Sequence, residues 1–173
     1  HNGFEGTTQI QLWHETHIDG AGHNVPDWVT SYPSYAAMPV KPLPLYFRSD
    51  GVLSRTAPTA AAKPDSYAYP GPSLGTEDGV VVGQHNLLWK TGEPSGASVA
   101  YTTPALTHDT EIFGSGSANL WISSTAPDTD LQITLTEVRP DGQEVYVGRG
   151  WLKASRRTLG KARSTKLAPY QTY

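Results

Sequence analysis

The sequence of 173 residues is long enough for one ordinary domain with a core of its own. Its 17 glycines and 14 prolines argue against a helix bundle, because an interior glycine costs about 1 kcal/mol of helix stability and a proline about 3. Five tryptophans and nine tyrosines are bulky anchors that disordered chains lack. The formal net charge of -3 gives no global reason to expect nucleic acid or an anionic membrane as partner, and the absence of cysteine excludes disulfides and thiolate metal sites.

Neither a membrane span nor a signal peptide is recognisable. No apolar run approaches the ~20 residues that a membrane span needs. Residues 1–6 lack an initiator methionine and also lack the basic start and apolar stretch of a signal peptide. We therefore expect a mature product or an excised piece of a longer protein, and the cellular compartment stays open.

Short β-prone segments separated by glycine and proline fill the first half of the chain. Ile10 and Leu12 alternate with polar neighbours, which predicts a strand over residues 8–14, and the glycines that follow predict a loop over 19–26. Residues 49–53 predict a turn that leads into a short strand. Further strands are predicted at 27–30, 43–47, 80–82 and 98–101.

A long surface loop is predicted over residues 56–79, which are rich in proline and alanine and poor in aliphatic side chains. We expect Tyr67 and Tyr69 to pin this loop. Residues 84–89 are apolar for a loop, and an exposed apolar cluster usually marks a contact site. Leu87, Leu88 and Trp89 are therefore candidates for a domain interface or a substrate pocket, with the end of this domain's own sandwich as the alternative position.

The second half shows more regular alternation. Leu131, Ile133 and Leu135 are predicted to point inward from a strand over 131–138. Pro140, Asp141 and Gly142 form a turn signal, in which proline presets φ and glycine accepts a positive φ, and they predict a hairpin. Other strands are predicted at 110–113, 118–124, 144–148 and 150–155. Many short strands separated by turns indicate an all-β fold, an antiparallel β-sandwich or jelly roll.

Motifs for catalysis and metal binding are weak. Residues 71–75 match G-x-S-x-G around Ser73, but no buried strand precedes them and no helix follows, so the context of a nucleophile elbow fails. His14 and His17 would point to opposite faces of a strand and would not share a metal. We predict no catalytic residue, no metal and no cofactor.

The C-terminal end carries only basic charge, since no acidic residue follows Glu144. A solvated edge or a face docked on an acidic neighbour explains this charge. A nucleic-acid patch is the other interpretation, and it lacks the aromatic side chains that would interleave the basic ones. The basic residues are Arg149, Lys153, Arg156, Arg157, Lys161, Arg163 and Lys166.

Residues 118–157 resemble the C-terminal, non-catalytic domain of the CocE/NonD and X-Pro dipeptidyl-peptidase serine hydrolases. The shared pattern begins with a strand ending in two serines, the D-T-D of residues 128–130 and a second strand. It continues with the V-x-P-D-G of residues 138–142 and ends with the segment from Gly150 to Arg157. Weaker similarity at 50–53, 67–76 and 99–106 extends the resemblance to most of residues 45–157. It places Ser73 in a surface loop of the family.

The resemblance implies a jelly-roll sandwich similar to galactose-binding-like domains, as a single domain over residues 1–173. The Ser-His-Asp triad of the family lies in a preceding α/β-hydrolase domain, and none of it maps here. The family continues beyond this chain, so the sandwich would lack its last strands, and residues 158–173 would be a basic tail that begins a truncated continuation. Asp128 and Asp130 would fix a strand crossover by accepting hydrogen bonds.

The function expected from this resemblance is that of an accessory domain. It would support and shape the active-site cleft of a serine hydrolase that acts on esters or amides, with the catalytic domain of the same protein as its partner and no nucleic acid or membrane involved. The alternative is a stand-alone carbohydrate-binding module. Such a module should expose coplanar aromatic rings, for which Trp13, Trp28 and Trp89 are the candidates.

Overall fold

A computed structural model of the chain describes residue 3 and residues 6–21, 23–60, 62–69 and 95–158. Its strands form three separate two-stranded antiparallel sheets, pairing β1 with β2, β3 with β4 and β5 with β6. No α-helix occurs in these ranges, so the all-β class is confirmed, and no helix there is long and apolar enough to cross a membrane. The strands are β1 (Ile10–Ile18), β2 (Asn24–Tyr32), β3 (Tyr46–Arg48), β4 (Val52–Ser54), β5 (Asp130–Val138) and β6 (Glu144–Lys153).

The described residues divide between two compact units. One unit contains β1–β4 and the described chain as far as Gly114, and the other begins at Ser115 and contains β5 and β6. Short 3-10 turns lie at Tyr35–Ala37, Ser49–Gly51 and Ala154–Arg156. Small antiparallel sheets of this kind are consistent with a β-sandwich.

The hairpin β1–β2 is longer than the sequence predicts. β2 begins at Asn24, so the predicted loop over 19–26 is wrong beyond residue 23. Pro26 is accommodated inside the strand because the pairing is bulged there: the register skips Thr16 on β1 and Asp27 on β2. The Thr16 hydroxyl donates a hydrogen bond to the Asp27 carboxylate, so the bulged residues satisfy each other.

The turn between β1 and β2 is closed by one carboxylate. Asp19 Oδ1 accepts the backbone N–H groups of Ala21 and His23 at 2.8 and 2.9 Å. The other oxygen, Oδ2, lies 2.8 Å from the His23 ring Nδ1. These hydrogen bonds hold the pKa of Asp19 below its ordinary value of 3.8.

The hairpin β3–β4 turns through Asp50 and Gly51, which both have positive φ, 62° and 70°. An Asp-Gly pair suits such a turn because both residues tolerate this conformation. The predicted turn into a strand at 49–53 is confirmed. Thr102 lies in an isolated parallel bridge to Val52, and its carbonyl accepts the Leu53 N–H at 2.9 Å. The predicted strand at 98–101 is replaced by that single bridge.

Residues 62–69 are pinned by contacts other than the predicted ones. The Tyr101 hydroxyl donates to Asp65 at 2.6 Å, and the Ala68 N–H donates to the Gly96 carbonyl at 2.9 Å. Burial, together with the bond to Asp65, raises the pKa of Tyr101 to about 12. Tyr67 and Tyr69, the predicted pins, are exposed, because the backbone and Asp65 make the contacts instead. Residues 61 and 70–79 of the predicted loop lie outside the described residues.

The β5–β6 hairpin confirms the prediction made from its turn. The Gly142 N–H donates to the Arg139 carbonyl at 2.9 Å, and the Gln143 N–H donates to Asp141 Oδ1 at 2.9 Å. Gly142 has φ 82°, the left-handed conformation expected for it. Pro140 lies between Arg139 and Asp141, where its fixed φ suits the turn.

Burial in this hairpin differs from the prediction. Val145 is only 2% exposed, whereas Ile133 and Leu135, predicted to point inward, are 37% and 41% exposed. They share a face, as predicted, but their cross-strand partners are Gly150 and Gly148, which have no side chain to cover them.

Two other predicted strands are wrong. Residues 110–113 and 118–124 form no ladder with any described residue, and Trp121 is exposed. Their β-branched and aromatic composition supplies strand propensity, but a strand also needs a partner for its backbone N–H and C=O groups. The strand predicted at 80–82 and the apolar loop at 84–89 lie outside the described residues.

Candidate interaction surface

One face of the β5–β6 hairpin combines aromatic, cationic and polar side chains. Cross-strand partners share a face and successive residues alternate, so the register defines its members. We call this surface the Trp151 face. It comprises Asp130, Gln132, Thr134, Thr136, Tyr146, Arg149, Trp151 and Lys153.

Arg149 lies between two aromatic rings at the centre of this face. Its guanidinium carbon is 5.4 Å from the centroid of the Tyr146 ring and 5.6 Å from that of Trp151, within the range of cation–π attraction. The indole Nε1–H of Trp151 donates to Gln132 Oε1 at 2.9 Å across the strands. The three large side chains are thus held in place before any partner binds.

Trp151 is nevertheless 67% exposed. Tryptophan, tyrosine and arginine are the residues that most often dominate the binding energy of protein interfaces. Tyr146 and Arg149 are half-buried and Trp151 is exposed above them. A held group of this composition is typical of a contact site rather than of a solvated surface.

A β-bulge creates this cluster. Thr136 pairs with Tyr146 and Leu135 pairs with Gly148, which leaves Val147 without a partner. Residues three apart in a regular strand point to opposite faces, and the bulge is what brings Tyr146 and Arg149 to the same one. Alternation alone misses this site; the only sequence signal is the pair of glycines on either side of Arg149.

Predicted residues Asp128 and Asp130 lie at one end of the Trp151 face. Asp128 Oδ1 accepts the backbone N–H groups of Ser155 and Thr129 at 2.9 and 3.0 Å. Lys153 Nζ is 3.2 Å from Asp130 Oδ1 and 3.8 Å from Asp128 Oδ2. Hydrogen bonds from Ser155, followed by the charge of Lys153 and a bond from Thr129, hold the pKa of Asp128 below 3.8 against a smaller opposing effect of desolvation.

Asp128 therefore joins the segment before β5 to the segment after β6. The Ala154 N–H adds a bond of 2.8 Å to the Thr129 carbonyl, and both Ala154 and Ser155 are buried. Pro140, Asp141 and Gly142 lie at the far end of the hairpin, in its turn. Leu87, Leu88, Trp89 and Ser73 lie outside the described residues.

Of the three aromatic residues proposed for a carbohydrate platform, the structure describes Trp13 and Trp28, which lie on opposite faces of the β1–β2 hairpin, and Trp89 lies outside the described residues. Trp28 lies opposite His14 and stacks on its ring, with centroids 4.6 Å apart and planes 14° apart. Trp13 precedes His14 and pairs with Val29, so it projects from the other face of the β1–β2 ribbon. In the described part of the chain, no group of three or more histidine, aspartate or glutamate side chains could hold a metal ion.

Comparison with protein families decides the class of the chain. The family of the X-Pro dipeptidyl-peptidase C-terminal non-catalytic domain matches residues 2–173. The chain belongs to this family. The resemblance seen in the hairpin motifs is confirmed.

Curated relatives of this family member include longer esterases. The chain is similar to "Cocaine esterase" of Rhodococcus sp. (strain MB1 Bresler), 32% identical over 114 residues, which are 58% of this chain and 18% of that protein. It is also similar to "Putative serine esterase Mb1866c" of Mycobacterium bovis, 27% identical over 135 residues, 74% of this chain and 22% of that protein. A Mycobacterium tuberculosis protein, "Putative serine esterase MT1883", matches to the same extent. The chain spans about a fifth of the length of these relatives, and no solved structure matches it.

Proposed function

We propose that this chain is the accessory domain of a serine hydrolase that cleaves esters or amides, and that it supports and shapes the active-site cleft without catalytic residues of its own. The observation that carries the proposal is the family match over residues 2–173, to a domain described as non-catalytic. The names of the relatives support an esterase as the whole enzyme. We further propose a jelly-roll, galactose-binding-like arrangement of the single domain.

The partner of the Trp151 face in this proposal is the catalytic domain of the same protein. Arg149 and Trp151 would supply the centre of the contact, and Arg156 and Arg157 lie three and four residues beyond the end of β6. Because no acidic residue follows Glu144 in the sequence, the complementary surface on the catalytic domain should be acidic at its rim.

A second contact is proposed for the apolar segment of Leu87, Leu88 and Trp89. If Leu88 and Trp89 line the acyl or peptide pocket, Trp89→Ala in the full-length enzyme should raise KM or shift acyl preference by roughly 1–3 kcal/mol of transition-state binding. A loss of stability of roughly 3–5 kcal/mol with unchanged substrate preference would instead place the ring inside the sandwich and contradict the contact.

The absence of a nucleophile is tested by active-site labelling of the full-length enzyme. A fluorophosphonate probe should label one serine outside residues 1–173, and Ser73→Ala should label to the same extent as the parent enzyme. The matched control, Ser95→Ala, changes a serine outside the G-x-S-x-G pattern. Stoichiometric label on Ser73, or loss of labelling in Ser73→Ala alone, would overturn the proposal.

A further inference from the structure

A half-open cavity lies beside the β3–β4 hairpin, and none of its lining residues belongs to β5 or β6. Its volume is about 470 Å³, and it is lined by Arg55 and by residues 105–110. Ligand sites for small molecules have volumes of about 300–1,000 Å³, so the space suits a metabolite-sized molecule.

The wall formed by residues 105–110 is fixed at both ends. Before it, the Thr102 N–H donates to the Gly51 carbonyl at 2.8 Å, and the Thr102 carbonyl accepts from Leu53. After it, the Glu111 carboxylate contacts Nδ1 of His14, a side chain only 7% exposed. Arg55 directly follows β4, so the β3–β4 hairpin holds one side of the cavity, and the far end of residues 105–110 is held by His14 of β1. The cavity is preformed, which lowers the entropic cost of binding.

The cavity presents opposite charges that do not neutralise each other. Neither the Arg55 guanidinium nor the Asp109 carboxylate has a hydrogen-bond or ion-pair partner in the described ranges. Leu106, 60% exposed, adds an apolar wall. A simple anion would be repelled by Asp109 and a simple cation by Arg55, whereas a ligand with both charges satisfies both groups.

We propose that this cavity binds a small zwitterion of the α-amino acid class, with its carboxylate on Arg55, its ammonium on Asp109 and an apolar side chain against Leu106. Guanidinium is the side-chain group best suited to a carboxylate, because it donates two parallel hydrogen bonds. Thr107 and His108 also line the space and carry further polar groups. This inference is independent of the proposed accessory role.

The test uses three probes that share one branched alkyl group, applied to the intact chain. L-leucine carries both charges, 4-methylpentanoate lacks the ammonium, and 3-methylbutylamine lacks the carboxylate. Binding is followed by titration with two-dimensional amide NMR. Leucine should bind with shifts at residues 105–110, and each analogue should bind at least about tenfold more weakly.

Charge-removing variants complete the test. Arg55→Gln and Asp109→Asn should each weaken leucine binding at least about tenfold, while Lys41→Gln, an exposed charge outside the cavity, should not. If leucine binds no better than its analogues, or if it shows no binding, the proposal is wrong, whatever the variants do. Unchanged leucine affinity in folded Arg55→Gln and Asp109→Asn would overturn it as well.

Discussion

Hairpin β1–β2 and hairpin β5–β6 have similar lengths, and a bulge interrupts the pairing of each. In the first, the bulge is satisfied internally, and its buried His14 contacts Thr30 and Glu111. In the second, the bulge brings Tyr146 and Arg149 onto the face where Trp151 is exposed. The same departure from regular pairing is thus satisfied within the first hairpin, whereas in the second it gathers aromatic and cationic side chains on one face.

Removal of the His14 side chain should produce the largest loss of stability. His14 Nε2 lies 2.7 Å from the Thr30 hydroxyl and the ring stacks on Trp28, so His14→Ala leaves a cavity and unpaired polar groups. We expect a loss of about 2–4 kcal/mol in the free energy of unfolding, measured by urea denaturation.

His17→Ala is the matched control, since His17 lies on the same strand and is exposed. It should cost at most about 0.5 kcal/mol. Equal effects of the two substitutions would show that the contacts of His14 do not hold the first ribbon together.

A substitution in the turn of the β5–β6 hairpin should lower the free energy of unfolding by an intermediate amount. Gly142→Val forces a branched residue into φ 82° while its added atoms meet nothing within 4 Å, so the cost is backbone strain alone, on the order of 1–2 kcal/mol.

Gly150→Val is the control that separates the cost of backbone strain from the effect of a larger side chain. Gly150 lies in β6 with open space around its added atoms and has no positive φ. Its substitution should leave stability unchanged or slightly raised, because valine favours strands and would cover Ile133. An unchanged unfolding midpoint in Gly142→Val would contradict the strained, positive-φ conformation assigned to Gly142 in this turn.

Asp128→Asn should produce a smaller effect that depends on pH. The folded-state pKa lies below the ordinary 3.8, so ionised Asp128 stabilises the fold above pH 3.8, and this contribution is lost as pH falls through the lower folded-state value. The stability difference between the parent and Asp128→Asn should therefore be constant near neutral pH and narrow below 3.8. Ser155→Ala, which removes the side-chain hydrogen bond that contributes most to the lowered pKa of Asp128, should reduce that difference. A pH-independent difference would argue that the carboxylate charge is irrelevant to the junction.

Local turn chemistry explains what the sequence predicts well. Pro140, Asp141 and Gly142 determine their hairpin through neighbours in the chain, and so does the Asp50-Gly51 pair. The bulge at Val147 and the contact of His14 with Glu111 depend on residues distant in sequence, which periodicity cannot locate. In residues 118–124 a strong local signal is misleading: the β propensity is high, but these residues pair with no strand in the described ranges.

The central claim, that the catalytic domain covers the Trp151 face, is tested most directly by hydroxyl-radical footprinting of the full-length enzyme. Trp151 and Trp13 are 67% and 58% exposed in this domain, so the oxidation rate of one serves as the internal standard for the other. If the face is covered, Trp151 should oxidise at least about fivefold more slowly than Trp13, because the centre of an interface excludes water. Equal oxidation rates for the two tryptophans would contradict the account.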